Sequence, residues 1–379
     1  MGILHLFVVA ALVALVGYGI SRVNQTNNGA AIVGSDTMRG VYFDDYGAPS
    51  DVLHMVDLPV PTYRSWEVLV EVHAASLNPV DYKIVEGAFF LIDMALNHRP
   101  GFDFSGIVVA VGSNVKHIKV GDNVHGMTWV HKTGSLAEYL AVDESAINVI
   151  PKSMTFQEAA ALPLAAHTSY SSLVTLGGLE HSRGQRVLVL GGSSATGMIA
   201  LQLAKAYGAS YIVATCSPRN EELVRSLGAD ETVNYREQEV FETMREANKS
   251  FDIIYDTVAA GKSVWDGAAS GVLASGGRLI TITGDVQRAL DVPDLLTRGY
   301  QIVSRNLFCL WHNGGGGYHQ YTQPGGKRDE LMVLDSLVEN GKLRAVVDKV
   351  YGFELGDVKE AFAYLMTGRA SGKVIINVK

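Results

Sequence analysis

Residues 186–206 read RVLVLGGSSATGMIALQLAKA, in which an apolar run passes through a turn of small residues directly into a helical repeat. Residues 187–190 suit a strand buried on both faces, and Ile199, Ala200, Leu203 and Ala204 recur at helical spacing. Between them Gly191, Gly192, Ser193, Ser194, Ala195 and Gly197 carry little or no side chain, and Thr196 adds a hydroxyl. Backbone N–H groups at the start of such a helix can approach a pyrophosphate closely, with the positive end of the helix dipole behind them. Ser194 and Ala195 depart from the all-glycine form of the fingerprint. The next strand, residues 211–215, ends with no Asp or Glu to bind a ribose 2′-hydroxyl. It ends instead in Thr215, Cys216, Ser217, Pro218, Arg219 and Asn220, whose hydroxyls and guanidinium suit a 2′-phosphate. The chemistry expected is the binding of NADPH in preference to NADH.

The surrounding pattern supplies the elements that must hold this turn. Residues 38–153 carry mostly short strand signals punctuated by Gly-Asp and Gly-Ser: MRGVYF, VLVEVHAASLNP, GIVVAVGSNV, GDNVHGM and LAEYLAV. Helical patterns begin after Pro151, and strands then alternate with helices through RVLVL, YIVAT, ETVNY, FDIIYD, GRLITI and QIVSR, which implies a doubly wound parallel sheet. A helix over residues 329–339 and a final apolar strand over 373–378 follow. The expected fold is α/β, a β-rich barrel domain with a Rossmann domain inserted in it and a cleft between the two. Residues 38–160 form the first part of the barrel domain, 161–306 the Rossmann domain, and 307–379 the return to the barrel domain.

At 379 residues the chain is long enough for two cores, and its formal charge of −8, with no dense Lys/Arg run, argues against nucleic acid as a partner. Two cysteines, Cys216 and Cys309, provide neither a disulfide framework nor a cysteine-rich zinc site. Residues 3–20 lack Lys, Arg, Asp and Glu and would span roughly 27 Å as a helix, so residues 1–20 are read as a transmembrane anchor or a signal peptide. Arg22 follows this segment with no cation before it, which favours a cytosol-facing catalytic domain. Occupied sequons at Asn24 or Asn248 would reverse that orientation. Residues 21–37 are polar and Gly-rich and read as a linker.

The stretches AASLNPVDYKIVEG (74–87), GFDFSGIV (101–108), VGDNV (120–124), ALPLAAHTSY (161–170), RSLGADETVNY (225–235), FDIIYDTV (251–258) and GKVIINV (372–378) together resemble the zinc-independent quinone-oxidoreductase branch of the medium-chain dehydrogenase/reductase superfamily. Within it the chain is most similar to the reticulon-4-interacting and chloroplast-envelope quinone oxidoreductase groups, the first of which is associated with mitochondria. The resemblance implies a GroES-like barrel, NADPH, and reduction of a quinone or an activated carbon–carbon double bond. Zinc-dependent members take ligands from a cysteine early in the barrel and a later His-Glu pair; here those segments read Asn78-Pro79-Val80-Asp81 and Phe102-Asp103, so no metal is expected. Lys83 or its neighbour Tyr82 would hydrogen-bond the developing enolate or quinol oxygen. Asn78, Thr168, Tyr235, Leu307 and Phe308 fall where relatives meet the cofactor, Leu307 and Phe308 following the last Rossmann strand. The loop around Trp311, His312 and the four glycines 314–317 is read as a lid beside the cleft. A small hydrophobic acceptor and a homodimer are the expected partners. An enoyl-thioester reductase and a non-catalytic NADPH-binding interaction protein are the alternatives.

Overall fold

The computed structural model describes residues 26–87, 98–128, 134–258, 262–282, 300–307, 309–310, 317–320 and 326–379. The apolar segment 3–20, the sequon at Asn24 and the residue Phe308 lie outside them. Among the described residues no helix is long and apolar enough to cross a membrane.

Near the start, β1 (Thr37–Phe43) pairs antiparallel with β2 (Leu53–Pro59). A larger sheet begins with β3 (Glu67–Leu77), β4 (Asp103–Val111), β5 (Asn123–Met127), β6 (Tyr139–Asp143) and β7 (Ile147–Val149). Most of β3 is buried, because its two sides face different apolar clusters: Val68, Val70 and Val72 join Phe104, Met127 and Leu140, whereas Leu69 joins Tyr63 and Ala110. Three helices follow β3 along the chain. α1 (Pro79–Val85) and α3 (Pro163–Tyr170) start on proline, which lacks an N–H that would otherwise go unbonded, and α2 (Phe156–Ala161) is held by a Thr155–Glu158 capping box.

The second sheet contains β8 (Arg186–Leu190), β9 (Tyr211–Cys216), β10 (Glu231–Asn234), β11 (Phe251–Asp256), β12 (Leu273–Thr281) and β13 (Gly317–Gln320), all parallel in the order β10-β9-β8-β11-β12-β13. Period-two geometry sends Val187 and Val189 to one face, against Ile199 and Leu203 of α4 (Ala195–Ala206), and Leu188 and Leu190 to the other, against Ile254 and Leu279. The chain returns through α5 (Arg328–Glu339), β14 (Val347–Tyr351), α6 (Leu355–Met366) and β15 (Lys373–Asn377). β15 pairs antiparallel with β3 and parallel with β14, completing the seven-stranded first sheet. The nucleotide-type sheet is thus an insertion between two parts of the β-rich domain, as the sequence pattern implies.

The structure departs from the sequence reading in three places. Residues 300–307 are helical, whereas QIVSR is expected to be a strand. Ile302 and Val303 are β-branched but exposed; the inward residue is Arg305, whose guanidinium lies over the Trp265 and Tyr318 rings at 5.2 and 4.6 Å. The edge strand is instead Gly317–Gln320, beyond the expected boundary at residue 306, so Leu307 does not follow the last strand and Gly317 belongs to the sheet rather than to a lid. Glycines 314–316, Trp311 and His312 lie outside the described residues. The segment read as a linker is ordered from residue 26: Thr26–Asn27 pairs with Tyr63–Arg64, and Ala30 and Val33 pack against Met38, Val60 and Ala137. Gly29 allows that approach, since a Cβ there would stand 2.2 Å from the Pro61 carbonyl oxygen.

Candidate functional site

The turn after β8 is shaped by its glycines. Gly191 has φ +84°, and a Cβ on it would meet Val258 Cγ1 at 2.2 Å; one on Gly197 would meet the Gly191 carbonyl oxygen at 2.1 Å. Both positions let the start of α4 lie close against the end of β8, and they leave a surface on which a pyrophosphate can rest. Gly191 N–H donates to Thr215 Oγ1 at 2.8 Å and Gly192 N–H to the Thr215 carbonyl at 2.8 Å, tying the turn to β9. Ser194 caps α4 by accepting from Gly197 N–H at 2.9 Å, and its hydroxyl meets Thr257 Oγ1 at 2.8 Å. Ser194 is therefore used in building the turn, and it is the backbone of Ala195 and Thr196, in the first turn of α4, that has no intrahelical acceptor. These residues fit a dinucleotide phosphate: a cradle that a side chain would fill, at the positive end of a twelve-residue helix.

At the end of β9, Ser217 and Asn220 are buried and Arg219 is exposed. Arg219 Nη2 donates to the Arg369 carbonyl and lies 3.3 Å from Ser371 Oγ, and Ser371 Oγ donates to Asn220 Oδ1 at 3.0 Å. The loop between α6 and β15 thus closes one side of this corner, a contribution no local pattern announces. Tyr235 is exposed, with the Arg236 guanidinium 5.9 Å from its ring centre, a second cation near the same corner of the sheet. Leu307 is exposed on the helix 300–307.

On the barrel side, α1 carries the two candidate catalytic residues, and both Tyr82 and Lys83 are half-buried. Burial, with the Glu86 charge, raises the Tyr82 phenol above its usual range, so it is a donor and not a phenolate at neutral pH. The base of α1 is a polar cluster sealed from water. Asp81 accepts from Asn78 N–H at 2.6 Å and from Gly101 N–H at 2.9 Å; burial outweighs these bonds and lifts its carboxyl to about 7. Asp103 is 0% exposed: Oδ1 accepts from Leu164 N–H of α3 at 2.8 Å, and Oδ2 from Ser76, Asn78 Nδ2 and Lys373 Nζ, each at 3.0 Å. Lys373 Nζ also donates to Asn78 Oδ1. The Asn78 side chain is therefore engaged within the barrel domain, although sequence reading assigns it to the cofactor.

Thr168 is buried on α3, and the adjacent Ser169 hydroxyl meets the Thr196 carbonyl at 2.8 Å, docking α3 against the phosphate turn. His167 faces the other way, toward α5, where its Nδ1 lies 3.2 Å from Glu330 Oε2. Burial acts to raise Glu330, but His167 and Lys327 outweigh it and hold the carboxyl at about 2. Beside Asp81, a narrow cavity of about 20 Å³, room for roughly one water, is lined by Phe43, Ile84 and Phe102 together with the polar Asp81, His98, Arg99 and Thr128. Thr128 Oγ1 has no hydrogen-bond partner among the described residues, and burial pushes Arg99 down to about 10.

The donor set at the base of α1 does not fit zinc. The Asn78 amide and the Asp103 carboxylate already bind the Lys373 ammonium, which would repel a second cation. Among the described residues no group of His, Cys, Asp and Glu is placed to hold a metal ion.

Residues 64–152 match the family described as the alcohol dehydrogenase GroES-like domain, and residues 227–376 the one described as zinc-binding dehydrogenase. The chain is 38% identical over 348 residues to the 2-methylene-furan-3-one reductase of Solanum lycopersicum, covering 90% of this chain and 79% of that protein. It is 35% identical over 370 residues to the chloroplastic NADPH-dependent alkenal/one oxidoreductase of Arabidopsis thaliana, covering 94% and 85%. Among solved structures, the quinone oxidoreductase from Coxiella burnetii matches with a TM-score of 0.75 at 28% identity, covering 90% of this chain and 100% of that one.

Proposed function

The chain belongs to the quinone-oxidoreductase-like branch of the medium-chain dehydrogenase/reductase superfamily, and from that premise we propose that it reduces a quinone or an enone or enal double bond with NADPH and without zinc. The observation that carries this reading is the buried ammonium of Lys373 between Asn78 and Asp103. An alcohol oxidation would lack the Lewis acid that stabilises an alkoxide, whereas an electron-poor double bond or quinone accepts hydride without one. NADPH supplies the hydride. The backbone of Gly191–Gly197 would receive the pyrophosphate, and Ser217, Arg219 and Asn220 the 2′-phosphate. Lys83 or Tyr82 would donate to the acceptor oxygen as negative charge develops there.

Tethering by segment 3–20 would bring the enzyme to lipid-dissolved acceptors, and a homodimer remains the expected assembly. The non-catalytic reading rests on Ser194 and Ala195 weakening the phosphate turn; because Ser194 caps α4, that support is reduced. The test is NADPH oxidation by the full chain against quinones, enones and an enoyl thioester, with NADH as control. Turnover of quinone or enone is expected. Turnover of the thioester alone, or tight NADPH binding with no turnover on any acceptor, would overturn the proposal.

A further inference from the structure

The carboxylate of Asp103 is a junction of five elements. It belongs to β4 and bonds Ser76 of β3, Asn78 at the start of α1, Leu164 of α3 and Lys373 of β15. Lys373 is 4% exposed, and its ammonium joins the same two side chains, the Asn78 amide and the Asp103 carboxylate. The amide is thereby fixed in one orientation: its oxygen faces the ammonium and its nitrogen the carboxylate. α1 carries Tyr82 and Lys83, and α3 carries Thr168 and docks on the phosphate turn through Ser169. One buried ion pair therefore anchors both the helix expected to meet the acceptor and the helix expected to meet the nicotinamide.

We propose that Lys373 is a positioning residue for hydride transfer: paired with Asp103 and bonded to Asn78, it sets the spacing between the starts of α1 and α3. Buried ion pairs are weak sources of stability, since apolar replacement of the whole pair is often neutral, so their value lies in the geometry they impose. Hydride transfer is sensitive to such geometry, and a displacement near 1 Å can cost on the order of 100-fold in rate. The ammonium thus organises the groups around it.

The proposal rests on the reductase reading, and its test separates the two. Lys373→Met, Lys373→Arg and the double variant Lys373→Met/Asp103→Asn are compared with the parent for kcat, KM, NADPH Kd and Tm, alongside Leu140→Ala as a control that lowers stability by loss of apolar packing. Lys373→Met is expected to lose about 10- to 100-fold in kcat with NADPH Kd within about twofold. Lys373→Arg should recover part of that loss. The double variant should regain Tm while kcat stays low, and Leu140→Ala should lower Tm and leave kcat intact. Recovery of kcat together with Tm in the double variant, or a kcat loss in Leu140→Ala equal to that in Lys373→Met, would show a purely structural role. Amide hydrogen exchange gives a reading that needs no turnover. Faster exchange at Leu164 and across residues 79–85 in Lys373→Met, with the strands of the second sheet unchanged, supports the positioning role even if the parent reduces no acceptor; unchanged exchange overturns it.

Discussion

The glycine turn after β8 and the buried ion pair beneath α1 treat charge by opposite means. The turn offers backbone N–H groups and a helix dipole, with no charged side chain of its own. The pair holds two full charges out of water at all times, each satisfied by the other and by neighbouring dipoles. A turn of the first kind is limited by space, so adding atoms harms it. A pair of the second kind is limited by completeness, so removing atoms does.

That contrast can be broken at its strongest point by Asp103→Ala, which leaves the Lys373 ammonium and the Leu164 N–H buried without their acceptor. We expect a loss of about 3–5 kcal/mol in urea denaturation; a loss below about 1 kcal/mol would mean that water reaches the site. Next is Gly191→Val, which places a β-branched residue at φ +84° against Val258. NADPH Kd measured by fluorescence should rise by about 50-fold or more, on the order of 2–3 kcal/mol, and an unchanged Kd would show that the phosphates do not approach this turn.

Glu330→Gln tests charge pairing away from the cleft, at α5. Its folded value of about 2 lies below the ordinary 4.5, so its stabilisation is complete above the ordinary value and is lost as pH falls through the folded one. The variant should cost about 1.5–3 kcal/mol at pH 7, and the difference from the parent in melting curves should shrink steadily as the medium is acidified; a gap independent of pH would remove the charge from the account. The smallest expected effect is at the exposed Arg219. Arg219→Glu should weaken NADPH about 10-fold, near 1.4 kcal/mol, and spare NADH, and equal loss of both would leave the guanidinium as only a bridge to the Arg369 loop.

The two regions also differ in how far the sequence discloses them. The turn is local: strand, glycines, cap and helix are contiguous, so the run from Arg186 to Ala206 specifies its structure. Asp103 and Lys373 are 270 residues apart, and each appears in the sequence only as one charged residue beside an apolar strand. Nothing in either stretch names its partner. The same limit explains Arg219, whose contacts at Arg369 and Ser371 come from the far end of the chain. Residues 301–305 mislead for a different reason: β-branched Ile302 and Val303 suggest a strand, but they face outward on a helix whose buried side is Arg305. The edge strand Gly317–Gln320 shows no alternation of its own and is paired to β12 by its place beside a formed sheet.

The central claim is reduction without a metal, organised by an internal ammonium. The most direct measurement is the rate of NADPH-dependent enone and quinone reduction by the purified full chain before and after exhaustive chelation, with bound zinc determined on the same samples. Full activity after chelation, with zinc far below one ion per chain, is the expected result. Activity that disappears on chelation and returns in proportion to added zinc would contradict the account.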